Sequence, residues 1–293
     1  MSGAAGRCVL VGYDGLIPAA AAIEAAAALL PHAHAWIVNL WGPPYTGDAL
    51  HRRLWNGKGG LDDFVRALER EGAAEAARLA DSGAALARAA GWTAEPLAER
   101  TVGGEGLQFG LLAEKLAPDL AVVGSRGLGG VRAFLGSVSD VIVHYIGCPV
   151  LVVPHPLLIA ERADLATGPI VVGWDGSPGS RRAVDVAGEL FADRPLIVAG
   201  VRDGADPVPG PAGHRYVEAR VHGTHAESGR AVAEALAREA AAQRAAAVVV
   251  GSRGRSAARE ILLGSVAMAT LHHAFRPVLV VPRGADPAAG AAR

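Results

Sequence analysis

Cysteine, lysine and aromatic residues are all scarce in this chain. Cys8 and Cys148 are the two cysteines in 293 residues, which excludes a disulfide scaffold and suits a reducing compartment. Only Lys58 and Lys115 are lysines among 28 basic residues, and 29 acidic residues bring the formal charge to −1. With no block of like charge, the sequence offers no arm for nucleic acid and no basic patch for a membrane. Trp36, Trp41 and Trp174 sit beside strand-like runs and read as core or cleft wall rather than as a platform for stacked bases. The most apolar run, AAAAIEAAAALL, is interrupted by Glu24 and falls short of the roughly 20 residues a spanning helix needs. The opening MSGAAGRCVLVGYDG lacks the pattern of a secretory leader, so the expectation is a cytoplasmic protein with no membrane partner.

Catalytic signatures are missing as well. The chain has no GxSxG nucleophile turn, no GxxxxGK[ST] phosphate loop and no HExxH zinc helix. His32/His34 and His272/His273 lack a carboxylate or cysteine at ligand spacing, so no metal site is expected. HGTH at 222–225 has the letters of a nucleotidyl-transfer motif in the wrong order and after the wrong strand.

What is present is present twice. CVLVGYDGL (8–16) corresponds to IVVGWDGS (170–177), LAVVGSRGLGG (120–130) to AVVVGSRGRSA (247–257), and FLGSVSDVIVHYIGCPVLVVPHP (134–156) to LLGSVAMATLHHAFRPVLVVPRG (262–284). Internal repetition in one order means two homologous halves. Within the first half, apolar runs near 8–13, 35–40, 120–123 and 149–153 alternate with alanine-rich segments carrying charge at helical intervals. Continuous apolar strands are buried on both faces, which predicts two tandem α/β domains, each a doubly wound parallel sheet. The expected boundaries are 1–156 and 168–283, with 157–167 as a connection whose apolar start packs, and 284–293 as a disordered tail.

The halves differ in length. Asp14 and Asp175 lie 161 residues apart, whereas Gly124 and Gly251 lie 127 apart, so the second half lacks 34 residues between its first and fourth strands. The first half has a long helical pattern over 61–91, but the second has only RDGADPVPGPAGHR between LIVAGV and YVEARV. The second half has lost the helix after its second strand. Either those residues cross as bare loop or the YVEARV strand is moved to the sheet edge.

In an open parallel sheet the ligand crevice lies at the carboxyl ends of the strands. Both GSRG segments and the YDG and WDG segments fall there. Glycine-turn amides approach an anion closely, and a Gly-Ser opening the next helix presents unpaired N–H groups with a favourable dipole. Arg126 and Arg253 add a cation at each GSRG, while Asp14 and Asp175 offer acceptors to a ribose hydroxyl or an amine. The simpler alternative is turn chemistry, with Ser137 and Ser265 as helix caps and Asp14 and Asp175 as turn-capping carboxylates.

G-x-x-G, nine residues, G-[ST] is the nucleotide-binding signature of the universal stress protein family, and Gly251, Gly254, Gly264 and Ser265 match it, with Asp175 as the first-strand acid. The chain resembles a tandem universal stress protein over nearly all of 7–156 and 168–283. The resemblance implies five parallel strands per half in the order 3-2-1-4-5, pairing through the fifth strands, and ATP, with or without Mg²⁺, held between strands one and four. PVLVV recurs at 149–153 and 277–281, so the halves are expected to pair with each other as family dimers do, with a homodimer also compatible. In the second half the implied contacts are Gly173, Asp175, Val201, Gly251, Arg253 and Gly254, then Gly264, Ser265 and Val266. In the first they are Gly12, Asp14, Leu40, Gly124, Arg126 and Gly127, then Gly136, Ser137 and Val138. The first half departs from the pattern: only eight residues separate Gly127 from Gly136, and Leu16 replaces the serine after Asp-Gly. A regulatory protein acting through nucleotide occupancy is therefore expected. A nucleotide-free docking module and a slow ATP hydrolase are the alternatives.

Overall fold

A computed structural model describes residues 6–42, 61–102, 104–128, 132–134, 137–202, 208–221, 229–254 and 263–283. The expected tail at 284–293 and the HGTH segment lie outside the described residues. The first half contains β1 (Cys8–Gly12), α1 (Ile17–Leu29), β2 (His34–Trp41), α2 (Leu61–Ala89), β3 (Thr93–Arg100), α3 (Glu105–Leu116), β4 (Leu120–Leu128), β5 (Arg132–Phe134), α4 (Ser137–Tyr145) and β6 (Val150–His155). A short helix, α5 (Ile159–Asp164), leads to the second half: β7 (Ile170–Trp174), α6 (Pro178–Leu190), β8 (Leu196–Arg202), β9 (Arg215–Arg220), α7 (Gly229–Ala242), β10 (Ala247–Gly251), α8 (Ser265–His273) and β11 (Val278–Val281).

The apolar runs form the middle of one sheet in the order β3-β2-β1-β4-β6-β11-β10-β7-β8-β9. Each half is a parallel 3-2-1-4-5 arrangement, and the halves meet where β6 and β11 pair antiparallel, Leu151 opposite Leu279 and Val150 opposite Val280. Residues alternate sides along a strand, so Leu151 and Leu279 enter one apolar cluster while Val150, Val152, Val278 and Val280 enter the other. Both clusters run through from one half to the other. The outermost strands are different: β3 carries Pro96 and alternates exposed with covered residues, which an edge tolerates and a central strand does not.

In the second half, β9 pairs parallel to β8 at the sheet edge, and residues 208–214 of the connection form no helix. β9 thus takes the edge place that β3 holds in the first half, so the strand is not moved and the alternative of a repositioned strand does not apply. Its cover comes from aromatic side chains. Tyr13 packs against Gly83 of α2, whereas its counterpart Trp174 donates its indole N–H to the Pro209 carbonyl at 3.1 Å. Tyr216 of β9 lies between Gly200 and Gly210, each of which lacks the Cβ that would collide with its ring.

The connection over 157–167 packs, but mainly through its end. Leu157 rests on the core, yet Leu158 and Ile159 are exposed, and Asp164 is only 4% exposed. The Asp164 carboxylate accepts from Arg276 Nη1 and Arg244 Nε, both at 3.0 Å, and Arg276 also donates to the Ala245 carbonyl. Arg194 donates to Ala28 O at the end of α1 and to Gly168 O, so one guanidinium joins both halves and fills helix-end acceptors. Arg7 reaches the Glu189 carbonyl in the same way.

Two predictions follow from these contacts. Asp164→Ala strands the Arg276 charge in the interior and is expected to cost about 3–5 kcal/mol in chemical denaturation, whereas replacing both partners with apolar residues restores much of that loss. Gly200→Val drives a side chain into Tyr216 and is expected to lower stability by about 1–3 kcal/mol, measured by thermal melting of the full chain.

Candidate functional site

The Asp-Gly corners after β1 and β7 are built alike. Gly15 and Gly176 take φ of +79° and +74°, and the carboxylates of Asp14 and Asp175 each accept from the amide two residues on, Leu16 and Ser177, at 3.0 Å. Both acids thus serve as turn-capping groups, the simpler role. The corners then diverge: Ser177 accepts from Ser180 N and caps α6, whereas Leu16 gives α1 no side-chain cap.

Two of the glycines assigned to ligand contact make room for backbone instead. A Cβ on Gly124 would lie 2.5 Å from the Pro18 carbonyl, and one on Gly251 would lie 2.8 Å from Gly179, because α1 and α6 begin directly over those strand ends. Gly12 and Gly173 leave space for Phe109 and Leu236, the core-facing residues of α3 and α7.

In the second half, β10 stops at Gly251 and the chain turns. Ser252 donates to Val281 O, and Gly264 donates to Ser252 O, both at 2.7 Å, which seats the opening of α8 on the GSRG turn. A Cβ on Gly264 would lie 3.2 Å from Ser252 O and 3.4 Å from Arg253 Cα, and one on Gly254 would lie 2.8 Å from Asp175 Oδ2. Asp175, Gly254 and Gly264 are thereby brought together at one place. Gly264, the N-cap of α8, provides no side-chain cap. The first amides of that helix, at Ser265, Val266 and Ala267, accordingly find no acceptor within the helix. Ser265 and Gly254 are exposed, and Val201 and Val266 lie partly buried on the same sheet face. Arg253 is the turn residue whose carbonyl lies against Gly179.

The first half corrects the expectation of a second glycine turn. Gly124, Ser125, Arg126 and Gly127 continue β4, with Ser125 and Arg126 opposite Pro154 and His155 of β6. On the other side Arg126, Gly127 and Leu128 pair antiparallel with Phe134, Ala133 and Arg132 of β5. Gly124 and Ser125 pair with β6, Gly127 with β5 and Arg126 with both, so the segment is extended within the sheet rather than turned as after β10. Gly136 lies outside the described residues, and Ser137 opens α4.

A cavity of about 200 Å³ remains in the first half at the carboxyl ends of β1, β2 and β4. Of the expected residues, Gly12, Asp14, Leu40, Gly124 and Val138 line it. Its apolar wall adds Val38, Phe109, Val123 and Ile142, all buried. Four polar lining residues were not foreseen: Tyr13, Glu105 at the start of α3, Asn39, whose amide donates to Tyr13 O at 2.8 Å, and Ser139, whose hydroxyl donates to Gly124 O at 3.1 Å. Asn39 in an otherwise apolar strand was the available signal. Burial and the adjacent Asp14 charge push the Tyr13 phenol above its ordinary value. Among the described residues no group of three or more His, Cys, Asp and Glu side chains is arranged to hold a metal, and no helix is long and apolar enough to cross a membrane.

The chain matches the universal stress protein family over residues 7–154 and 217–282. It is 34% identical over 183 residues to a universal stress protein of Mycobacterium tuberculosis, covering 55% of this chain and 61% of that one. A relative from Mycolicibacterium smegmatis is 32% identical over 200 residues, covering 58% and 64%. The chain thus spans less than two thirds of the length of these curated relatives. The crystal structure of a universal stress protein from Archaeoglobus fulgidus shares the fold over 94% of this chain and 98% of that one, with a TM-score of 0.66 at 18% identity. With the family matching both repeats and the sheet order repeated in each half, this chain belongs to the universal stress protein family.

Proposed function

We propose that this chain is a cytoplasmic, ATP-binding regulator of a stress response, and that its second half holds the nucleotide. What supports the reading is the meeting of Asp175, Gly254 and the uncapped start of α8 at one exposed corner. The amides of Ser265, Val266 and Ala267 suit the phosphates, which the helix dipole also favours. Asp175 at the other end suits a hydroxyl or amine donor, and Val201 and Val266 suit the flat face of a base. Gly254 and Gly264 fit such a ligand because neither leaves a side chain between turn and phosphate. Mg²⁺ would accompany the polyphosphate and neutralise part of its charge. Output by occupancy, with hydrolysis slow and incidental, fits a corner built of amides, a hydroxyl and a turn-capping carboxylate. With the fifth strands already paired within the chain, a homodimer would use another surface.

In the first half a specific observation favours the alternative reading. The β4–β5 hairpin takes the segment that would hold phosphate, and β5 packs against α8 of the other half. One nucleotide per chain is therefore expected in mass spectrometry of denatured, purified protein.

Thermal melting tests the reading. ATP at about 100 times its dissociation constant stabilises the bound state by about 2.7 kcal/mol, a rise of several degrees in melting temperature. Gly264 has φ −63° and ψ 151°, a conformation open to any residue. Gly264→Asp is expected to fold, to cap α8 with its own carboxylate, and to abolish the ATP shift. A wild-type curve unmoved by millimolar ATP overturns the assignment.

A further inference from the structure

We infer that α8 links nucleotide occupancy in the second half to the β4–β5 pairing of the first, so that the bound and ligand-free states differ on the far side of the junction. This rests on the second-half assignment and names its output. Placement is the first argument. α8 lies against α7 and β11 of its own half and also against β5 of the other. β5 pairs with Arg126, Gly127 and Leu128, where β4 draws level with His155 at the end of β6 and then runs past it. β6 and β11 are antiparallel, with Val152 opposite Val278, so the end of β6 stands beside the start of β11. α8 finishes at His273, shortly before that start. β5 therefore meets the last turns of α8, while Ser265 opens the helix at the phosphate corner. At about 1.5 Å per residue, the helix is a strut of about 13 Å between the two.

Packing is the second argument. Of the nine residues of α8 only Ser265 is exposed. Ala267, Thr270 and Leu271 are buried, and a Cβ on Gly229, at the start of α7, would lie 2.7 Å from Ser265 Oγ. A helix this short is marginal by itself and takes its position from its neighbours. A shift at its first turn is thus passed to its last, because close-packed contacts transmit strain. The third argument is the low local stability of the receiving element. β5 is three residues long and, among the described residues, pairs with β4 alone, off the main order of the sheet. Such a pair opens at much lower cost than the central strands, which gives occupancy two states to bias, paired and open. Phosphate on the amides of Ser265, Val266 and Ala267 fixes α8 in its seat and favours the paired state. Coupling is reciprocal, so the paired state raises nucleotide affinity by the same factor.

Hydrogen exchange of the full chain, with and without saturating ATP, is the test. ATP is expected to slow exchange at residues 126–128 and 132–134 by about tenfold, alongside that of the Ser265, Val266 and Ala267 amides. Neighbouring residues of an antiparallel strand alternate in bonding to the partner strand, so Arg132→Pro with Ala133→Pro removes a ladder bond whichever residue donates it. That chain is expected to bind ATP about tenfold more weakly, whereas Arg132→Ala leaves the affinity unchanged. Unaltered exchange at 126–128 and 132–134 beside slowed exchange at Ser265 to Ala267 overturns the inference and leaves the nucleotide assignment standing, as does full ATP affinity in the proline chain. No change at either place, with an unmoved melting curve, overturns both. Should the proline chain fail to melt cooperatively, exchange in the wild type decides alone.

Discussion

The antiparallel pairing of β6 with β11 is the constraint from which the arrangement of this molecule follows. Two parallel sheets joined at their last strands in opposite directions form one sheet with a local two-fold relation centred on Leu151 and Leu279. Such an axis keeps the faces matched, which is why each apolar cluster crosses the junction without interruption. It also sends the carboxyl ends of the two strand sets to opposite sides of the junction, so the two Asp-Gly corners stand apart. The chain must then return from the end of β6 to the start of β7, and the polar contacts fasten that return: Asp164 to Arg276, Arg194 to Gly168 and Ala28. Buried charge at Asp164 adds little net stability over apolar packing, but it tolerates few alternative geometries.

Duplication relaxes each half in a different place. The first half keeps the long helix α2 and pairs its GSRG segment with β5 and β6. The second keeps the turn and loses the helix, covering the exposed strand with Tyr216 and the Pro209 carbonyl under Trp174. Each loss is local because the sheet order does not depend on it. A crossover helix contributes apolar cover, and a tyrosine laid across Gly200 supplies part of the same cover from much less chain.

Much of this was legible in residues alone. The repeats announced two halves, the fifth-strand PVLVV segments announced their pairing, and the missing 34 residues marked the lost helix. β3 was not legible: TAEPLAER has a proline and no apolar stripe, since an edge strand buries little. Nor was the fate of the first GSRG. Gly-Ser-Arg-Gly is equally compatible with a turn and with an extended segment, and the decision rests on β5 and β6, which are distant or interrupted in sequence. Gly124 and Gly251 belong to the same lesson. Their spacing fits a phosphate signature, but the atoms that forbid a side chain there are the backbones of Pro18 and Gly179. A motif letter can be demanded by packing and by a ligand at once, and sequence does not separate the two.

The two acids at the ends of β1 and β7 carry the comparison furthest. Asp14 and Asp175 hold the same turn through the same hydrogen bond, so their local role is identical. What differs is the neighbour. Asp175 has its second oxygen against Gly254, beside a helix start whose first amides have no acceptor within the helix and form a positive pole. Asp14 lies at a cavity that Glu105 also lines. Under the proposed function, a ligand with an anionic end and a donor-bearing end would be oriented at the second corner, phosphate toward α8 and donors toward Asp175. One repeated turn geometry thus stands in different surroundings in the two halves, and the difference arises from what packs beside the aspartate.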